Sequence, residues 1–402
     1  MNPFYWILRI ICRLGLQIYF KKVEVVGAER LDSTRPMLIA MNHPSSFLEA
    51  CVMACWMKFP LHFIVRGDVF HPVFRWFFKW TNQIPIYRFR DGFSNLRNNS
   101  KTFERCYEEL AAGAKIVIFA EGSTKWVKQL RPLQRGTARI AIGALEKYPG
   151  LDLDIVPVGI NFEDIFRFRS TCVIKVGEAF SASQFKGEKA QVAEKITRNL
   201  QKEMESCVLH LEDREDELVF NLTSDYLGYF LNPARHFQDQ MELAQGINQN
   251  ESESLQDSAR ALSALSKEEG LLSMNPEVRA HEHSGLDHLV HLAYTISAAL
   301  FDGPAILASW WSSKLSRHPS FIIPIRLGIA AILYLITLSL CFGLLIWGTG
   351  LYSILYFSLI CLFLYLHVRL YDLNFKVEMS GKWVRLQENR QFLSYLGKLL
   401  KS

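Results

Sequence analysis

Three familiar signatures are missing from this 402-residue chain. It has no zinc-finger pattern, no P-loop and no dinucleotide-binding glycine fingerprint, so those metal and nucleotide chemistries have no support in the sequence. None of its eight cysteines falls in a CxxC pair. Cys12, Cys51, Cys55, Cys341 and Cys361 lie inside apolar runs, which reads as small buried hydrophobes in a reducing compartment and not as a disulfide frame. Excess charge of one sign is scarce as well. A formal net charge of +5 is too small to argue for nucleic acid, but it suits a surface that meets anionic lipid or a phosphorylated substrate. Near the N-terminus Arg9 and Arg13 interrupt the apolar stretch and no small-residue cleavage site follows, so a cleaved signal peptide is not expected.

What the chain has in abundance is apolar surface. Half of its residues are hydrophobic and 13% are aromatic, a share that points towards membrane contact. In 3–20, Arg9, Arg13 and Gln17 are spaced four apart and form one stripe of a helix, with a broad greasy surface opposite. That pattern fits a helix lying in the headgroup layer, or one packed on the domain that follows; residues 1–22 are therefore expected to form an N-terminal interfacial membrane helix.

From 23 to 211 short β-like runs (37–41, 63–65, 115–120, 155–161, 172–176) alternate with helical patterns (48–58, 94–112, 137–148, 190–209). Alternation of this kind predicts an α/β domain, a mixed β-sheet flanked by helices. Residues 212–312 turn polar and read as a solvent-exposed helical connector. In 313–402 two apolar runs, about 327–347 and 351–368, approach the ~20 residues needed to cross hydrocarbon. Lys314, Arg317 and Arg326 precede them, Arg369, Lys376, Lys382 and Arg385 follow, and the link Gly348-Thr349-Gly350 is uncharged. The expectation is a C-terminal transmembrane helical hairpin with both ends on the cytosolic side and a basic amphipathic tail.

One stretch carries chemistry. A strand-like run ends at Asn42-His43-Pro44-Ser45-Ser46, and a helical run begins near Phe47, with Glu49 in its first turn. A histidine in such a turn can face a cleft, and a nearby carboxylate fixes its tautomer and raises its basicity. The same residues also read as a capping box, Ser46 to Glu49, with His43 an ordinary turn residue. Three later segments belong beside it: Ile84-Pro85 with Arg88, Phe119-Ala120-Glu121-Gly122-Ser123 at the end of an apolar strand, and Val156-Pro157-Val158-Gly159. Singly they read as a surface charge, a turn and an edge strand.

In this order the four segments, spanning about 31–180, resemble the four blocks of the glycerolipid acyltransferases, the glycerol-3-phosphate and 1-acylglycerol-3-phosphate acyltransferase family. Arg135-Gly136, Ala138-Arg139-Ile140 and Phe168-Arg169-Ser170 are also similar to segments of one branch of it. Two departures stand out. Five residues separate His43 from Glu49, where the usual pattern has four and an Asp, and Ala120 stands where the third block usually has Pro, with Ser123-Thr124 after the glycine. The longer spacing resembles a known branch.

The resemblance implies an enzyme that moves an acyl group from a thioester (acyl-CoA or acyl-carrier protein) to the hydroxyl of glycerol-3-phosphate or 1-acylglycerol-3-phosphate in phospholipid synthesis. No covalent enzyme intermediate, metal or other cofactor is implied. His43 becomes the base and Glu49 its orienting acid. Arg88, with Lys125 second, takes the phosphate; Glu121 holds glycerol hydroxyls; Gly122 and Ser123 lie in the same loop; Pro157 shapes the pocket wall. Lys128, Arg131 and Arg135 are open to contact with a phosphate or CoA, or to a headgroup-facing surface. The implied partners are membrane lipids, the thioester donor and the phosphorylated acceptor, with no nucleic acid, and the catalytic domain is expected on the cytosolic side. Alternatives remain: another lysolipid or an amino-acid lipid as acceptor, a thioesterase, or a membrane lipid-binding protein without activity.

Overall fold

The computed structural model describes residues 3–31, 34–70, 73, 75–87, 99–212, 220, 236–249, 285–316, 321–349 and 352–388. The chain divides into two compact units, Met1–His210 and Leu211–Ser402.

The first unit is built on an eight-stranded sheet: β1 (Lys22–Val26), β2 (Met37–Met41), β3 (His62–Arg66), β4 (Gln83–Ile86), β5 (Lys115–Phe119), β6 (Asp154–Phe162), β7 (Thr171–Val176) and β8 (Phe180–Ser181). The order is β1-β7-β6-β2-β5-β3-β4, with β8 beside β6. β2 pairs in parallel with both β5 and β6, whereas β7 and β8 run antiparallel to β6, so the sheet is mixed. Every residue of β2 and β6 is buried, which is why both read as near-continuous apolar runs.

The helices of this unit are α1 (Pro3–Tyr19), α2 (Leu48–Trp56), α3 (Arg75–Trp80), α4 (Asn99–Ala111), α5 (Gly136–Lys147) and α6 (Lys189–Glu205). The chain leaves β2 towards β3 on one side and leaves β5 towards β6 on the other. Right-handed crossovers in opposite directions put α2 and α5 on opposite faces of the sheet. On one face Leu38 and Ala40 share a core with Leu110 of α4, Ile140 and Ala144 of α5, and Ile196 and Leu200 of α6. Each of these leucines and isoleucines contributes about 1.5–3 kcal/mol by burial. Met37, Ile39 and Met41, the alternate set on β2, turn to the other face.

Pro157 stands in the interior of the sheet, not at an edge as the sequence reading had it. Its missing N–H falls at the joint where β6 stops pairing with β7 and starts pairing with β8. There the Pro157 carbonyl accepts the Gly177 N–H at 2.8 Å.

α1 carries the stripe its spacing predicts; its two arginines reach α2, while Gln17 is exposed. Arg9 bonds the Met57 carbonyl, and Arg13 lies over the Trp56 ring at 5.3 Å, both just past or at the end of α2. Ile7, Ile10, Ile11, Leu14 and Ile18 point outward, each more than half exposed. The last turn of α1 is closed by Arg169, whose Nη1 donates to the carbonyls of Gln17, Ile18 and Phe20 at 3.0–3.2 Å and so takes up orphan acceptors of the helix end.

The second unit holds α7 (His236–Gln249), α8 (Gly285–Phe301), α9 (Gly303–Leu315), α10 (Ile322–Thr349) and α11 (Ser353–Glu388). Two stretches, Ile322–Gly348 and Ser353–Phe375, are long and apolar enough to cross a membrane. α8 packs along α11, α9 along α10, and the α8–α9 pair bends by 65° at Asp302. Two polar side chains of α8, His291 and Ser297, turn towards α11. His291 meets Asn374 at 2.9 Å, and His367 sits between Ser297 and Asp302, 2.9 Å from each. Leu289, Leu292, Ile296, Leu300 and Trp310 face out. The exposed polar connector expected over 212–312 therefore does not extend through these two helices. Most of the basic tail, 389–402, lies outside the described residues.

Candidate active site

The carboxyl ends of the adjacent parallel strands β2 and β5 form the centre of the site, where α/β sheets commonly bind ligands. β2 delivers Asn42 and His43; β5 delivers Phe119 and the loop that follows it. Asn42 fixes the first of these ends. Its side-chain amide donates to the Ile160 carbonyl at 3.0 Å and accepts the Ile160 N–H at 2.8 Å, prolonging the sheet one residue beyond the strand.

The imidazole of His43 is held on two sides, and the backbone of the same residue is fixed as well. Nδ1 lies 2.5 Å from Glu49 Oε1, and the same oxygen accepts the Ser45 N–H at 3.1 Å. Phe119 stacks on the ring at 4.1 Å with 14° between planes. The His43 N–H donates to Glu121 Oε2 at 2.9 Å. Glu49 is fully buried, while the His43 side chain keeps 15% of its surface. A carboxylate accepts only, so the proton between the pair sits on Nδ1 and Nε2 is left as the basic nitrogen.

The capping-box reading of Ser46 and Glu49 does not hold. The residue ahead of α2 is Phe47, no side chain caps the helix, and the Glu49 carboxylate is spent on Ser45 and His43. The turn through Pro44 and Ser45 brings the acid back to the ring.

The loop after β5 is drawn against His43. Ala120 donates to the Met41 carbonyl at 2.8 Å, a bond that a proline there could not make. Gly122 adopts φ +68°, the left-handed region that suits glycine. Lys125 N–H reaches the His43 carbonyl at 3.3 Å, and its side chain is exposed. The Ser123 hydroxyl accepts from Arg131 Nη1 at 2.7 Å, and Arg131 Nη2 lies 2.5 Å from Glu121 Oε2. His43, Glu49, Glu121, Gly122, Ser123 and Lys125 are thus brought together. Pro157 is buried in β6 opposite Ala40, away from this loop. Arg88 lies outside the described residues; the chain just before it is clamped, because Asn99 both accepts the Tyr87 N–H (2.9 Å) and donates to the Tyr87 carbonyl (2.6 Å). Lys128 turns away to the Glu163 carbonyl at 2.7 Å. Asn42 and Phe119 stood inside motifs but had no assigned role; only the fold shows one bridging strands and the other stacking.

Burial pushes the Cys51 and Cys172 thiols well up, and Cys55 and Cys106 to about 12. Such thiols are poor nucleophiles at neutral pH. Among the described residues no three His, Cys, Asp or Glu side chains cluster as metal ligands.

These features define an α/β domain with a histidine–carboxylate pair at the ends of parallel strands. Residues 22–161 match the family model described as Acyltransferase, and this segment is an acyltransferase-family domain. The chain is similar to "Glycerol-3-phosphate O-acyltransferase 1" of Saccharomyces cerevisiae, 36% identical over 81 residues, which are 20% of this chain and 11% of that protein. It is 28% identical to "Glycerol-3-phosphate O-acyltransferase 2" of the same yeast over 121 residues, 30% of this chain and 16% of that one. The chain therefore spans well under a fifth of the length of these curated relatives. The solved "1-acyl-sn-glycerophosphate (LPA) acyltransferase, PlsC, from Thermotoga maritima" aligns over 49% of this chain and 79% of its own, at 16% identity and a TM-score of 0.35.

Proposed function

We propose that this protein is a membrane-bound O-acyltransferase that moves a fatty acyl group from a thioester to the hydroxyl of a glycerol phosphate, glycerol-3-phosphate or its 1-acyl form. The observation that carries this reading is the His43–Glu49 pair with Nε2 left free beside an exposed loop. Nε2 takes the proton of the acceptor hydroxyl as its oxygen attacks the thioester carbonyl. The C–O bond forms, the C–S bond breaks, and the departing thiolate recovers the proton from the imidazolium, which Glu49 steadies meanwhile. The hydroxyl attacks directly, so no acyl-enzyme is required.

Arg88 and the exposed Lys125 serve the acceptor's phosphate, and Gly122 lets backbone come close to the ligand. The Glu121 carboxylate already accepts from His43 and Arg131, so in this reading it shapes the site more than it grips glycerol. Membrane attachment rests on Ile322–Gly348 and Ser353–Phe375, helped by the outward apolar face of α1. The basic flanks of the two spans favour a cytosolic catalytic unit, where acyl thioesters are found.

The test is to supply the full-length protein in vesicles with acyl-CoA, or acyl-carrier protein, and a panel of acceptors, and to weigh the products by mass spectrometry. An acylated glycerol phosphate is expected. Thioester hydrolysis alone, or acylation only of acceptors without phosphate, would overturn the reading.

A further inference from the structure

The loop between β5 and α5 places a guanidinium beside the site that the reaction as described does not use. Arg131 is 15% exposed at its side chain and pairs with a Glu121 that is 2% exposed. Its Nη2 lies 2.5 Å from Glu121 Oε2 and also bonds the Ser123 carbonyl; its Nη1 lies 2.7 Å from Ser123 Oγ. Its own N–H donates to Glu121 Oε1 at 3.0 Å. Nε is buried without a partner. Three of the five guanidinium hydrogens are therefore used within the loop, a fourth is buried, and no free fork remains for a phosphate.

The far end of this network is the catalytic peptide. Glu121 Oε2, the oxygen paired with Arg131, also accepts the His43 N–H at 2.9 Å. Burying a carboxylate this deeply is costly unless a cation compensates it, and Arg131 is the cation at hand. We infer that Arg131 is a positioning residue: by neutralising Glu121 and tying down Ser123 it sets where the His43 backbone, and hence Nε2, stands. This rests on the transferase reading of His43, and it assigns Arg131 to neither the phosphate contact nor the headgroup surface that its sequence position left open.

Full-length Arg131→Ala and Arg131→Lys proteins in vesicles test the assignment. Misplacing a reacting group by about 1 Å costs up to ~10²-fold in rate. Arg131→Ala should therefore lower kcat by about 10- to 100-fold, with KM for donor and acceptor nearly unchanged. Arg131→Lys, which keeps the charge but loses the fork, should fall in between, and millimolar guanidinium ion should restore part of the Arg131→Ala rate. A raised KM for the phosphorylated acceptor at unchanged kcat would mean that Arg131 grips phosphate and would overturn the inference. So would a kcat equal to wild type. A second readout needs no turnover: carbethoxylation of His43 by diethyl pyrocarbonate, followed by mass spectrometry. The His43 rate should change several-fold in Arg131→Ala while that of His62 stays put; equal His43 rates refute the inference. If wild type transfers no acyl group at all yet the His43 labelling responds, the proposed reaction fails and the positioning role stands.

Discussion

Glu49 serves two groups with one oxygen, and the proposed reaction depends on that contact. The acid sits in the first turn of α2, six positions after His43, and its Oε1 serves both the ring nitrogen and the Ser45 amide. Glu49→Gln keeps the volume but removes the charge that steadies the imidazolium, and it lets the amide impose the wrong tautomer. It should lower kcat by about 10²-fold or more with the far-UV circular dichroism unchanged. Glu49→Asp draws the carboxylate back by about one bond and should cost about 10-fold, the size expected of a slackened contact. An unchanged kcat in Glu49→Gln would remove the acid from the mechanism. The pair itself was legible in the sequence, because residue type and spacing are local. The partners of Glu121 were not: they depend on Arg131 folding back across eight residues to Ser123, which no spacing rule encodes.

At the level of elements, the buried strands were the most readable parts. β2 appears at the bounds its apolar run predicts, and β5, β6 and β7 differ by a residue or so at their ends. β1 escaped notice because it is a five-residue edge strand in which Lys22 and Glu24 pair at 2.6 Å on the outer side. Pro157 misled for a physical reason. A proline cannot donate to a ladder, which usually means an edge, but here β7 ends and β8 begins on the side where its N–H would have been. The same joint leaves little room. A Cβ on Gly159 would run into the Cys207 carbonyl, and one on Gly177 would come within 2.8 Å of Pro157 Cγ. Gly159→Ala should therefore destabilise the unit by about 1–3 kcal/mol, the usual cost of overpacking a core, read as a lower melting temperature. A wild-type melt would contradict the packing described for β6.

Across the whole molecule the outward apolar face was legible in α1, from its spacing, but not in α8 and α9. In α1 the arginines reach α2 and the isoleucines turn out; His291 and Ser297 of α8, and Asp302 ahead of α9, meet Asn374 and His367 of α11, and leucines and tryptophans of α8 and α9 turn out. Composition averages the two faces and so made 285–315 look like part of a polar connector, whereas the fold separates them. Apolar faces of this extent are stable in lipid, not in water. In vesicles carrying a photoactivatable phospholipid, peptides from α1, α8, α10 and α11 should all be labelled, with Ile7, Ile10 and Leu14 the sites within α1. Absence of label on α1 would remove it from the membrane-bound surface.

All of this geometry converges on one nitrogen, and the most direct measurement is the rate of acyl transfer by His43→Ala beside wild type, in the same vesicles and with equal melting temperatures. A base at Nε2 accounts for ~10²–10⁴-fold, so the variant should lose at least 10²-fold in kcat. A His43→Ala protein that transfers acyl groups within two- or threefold of wild type would contradict the account.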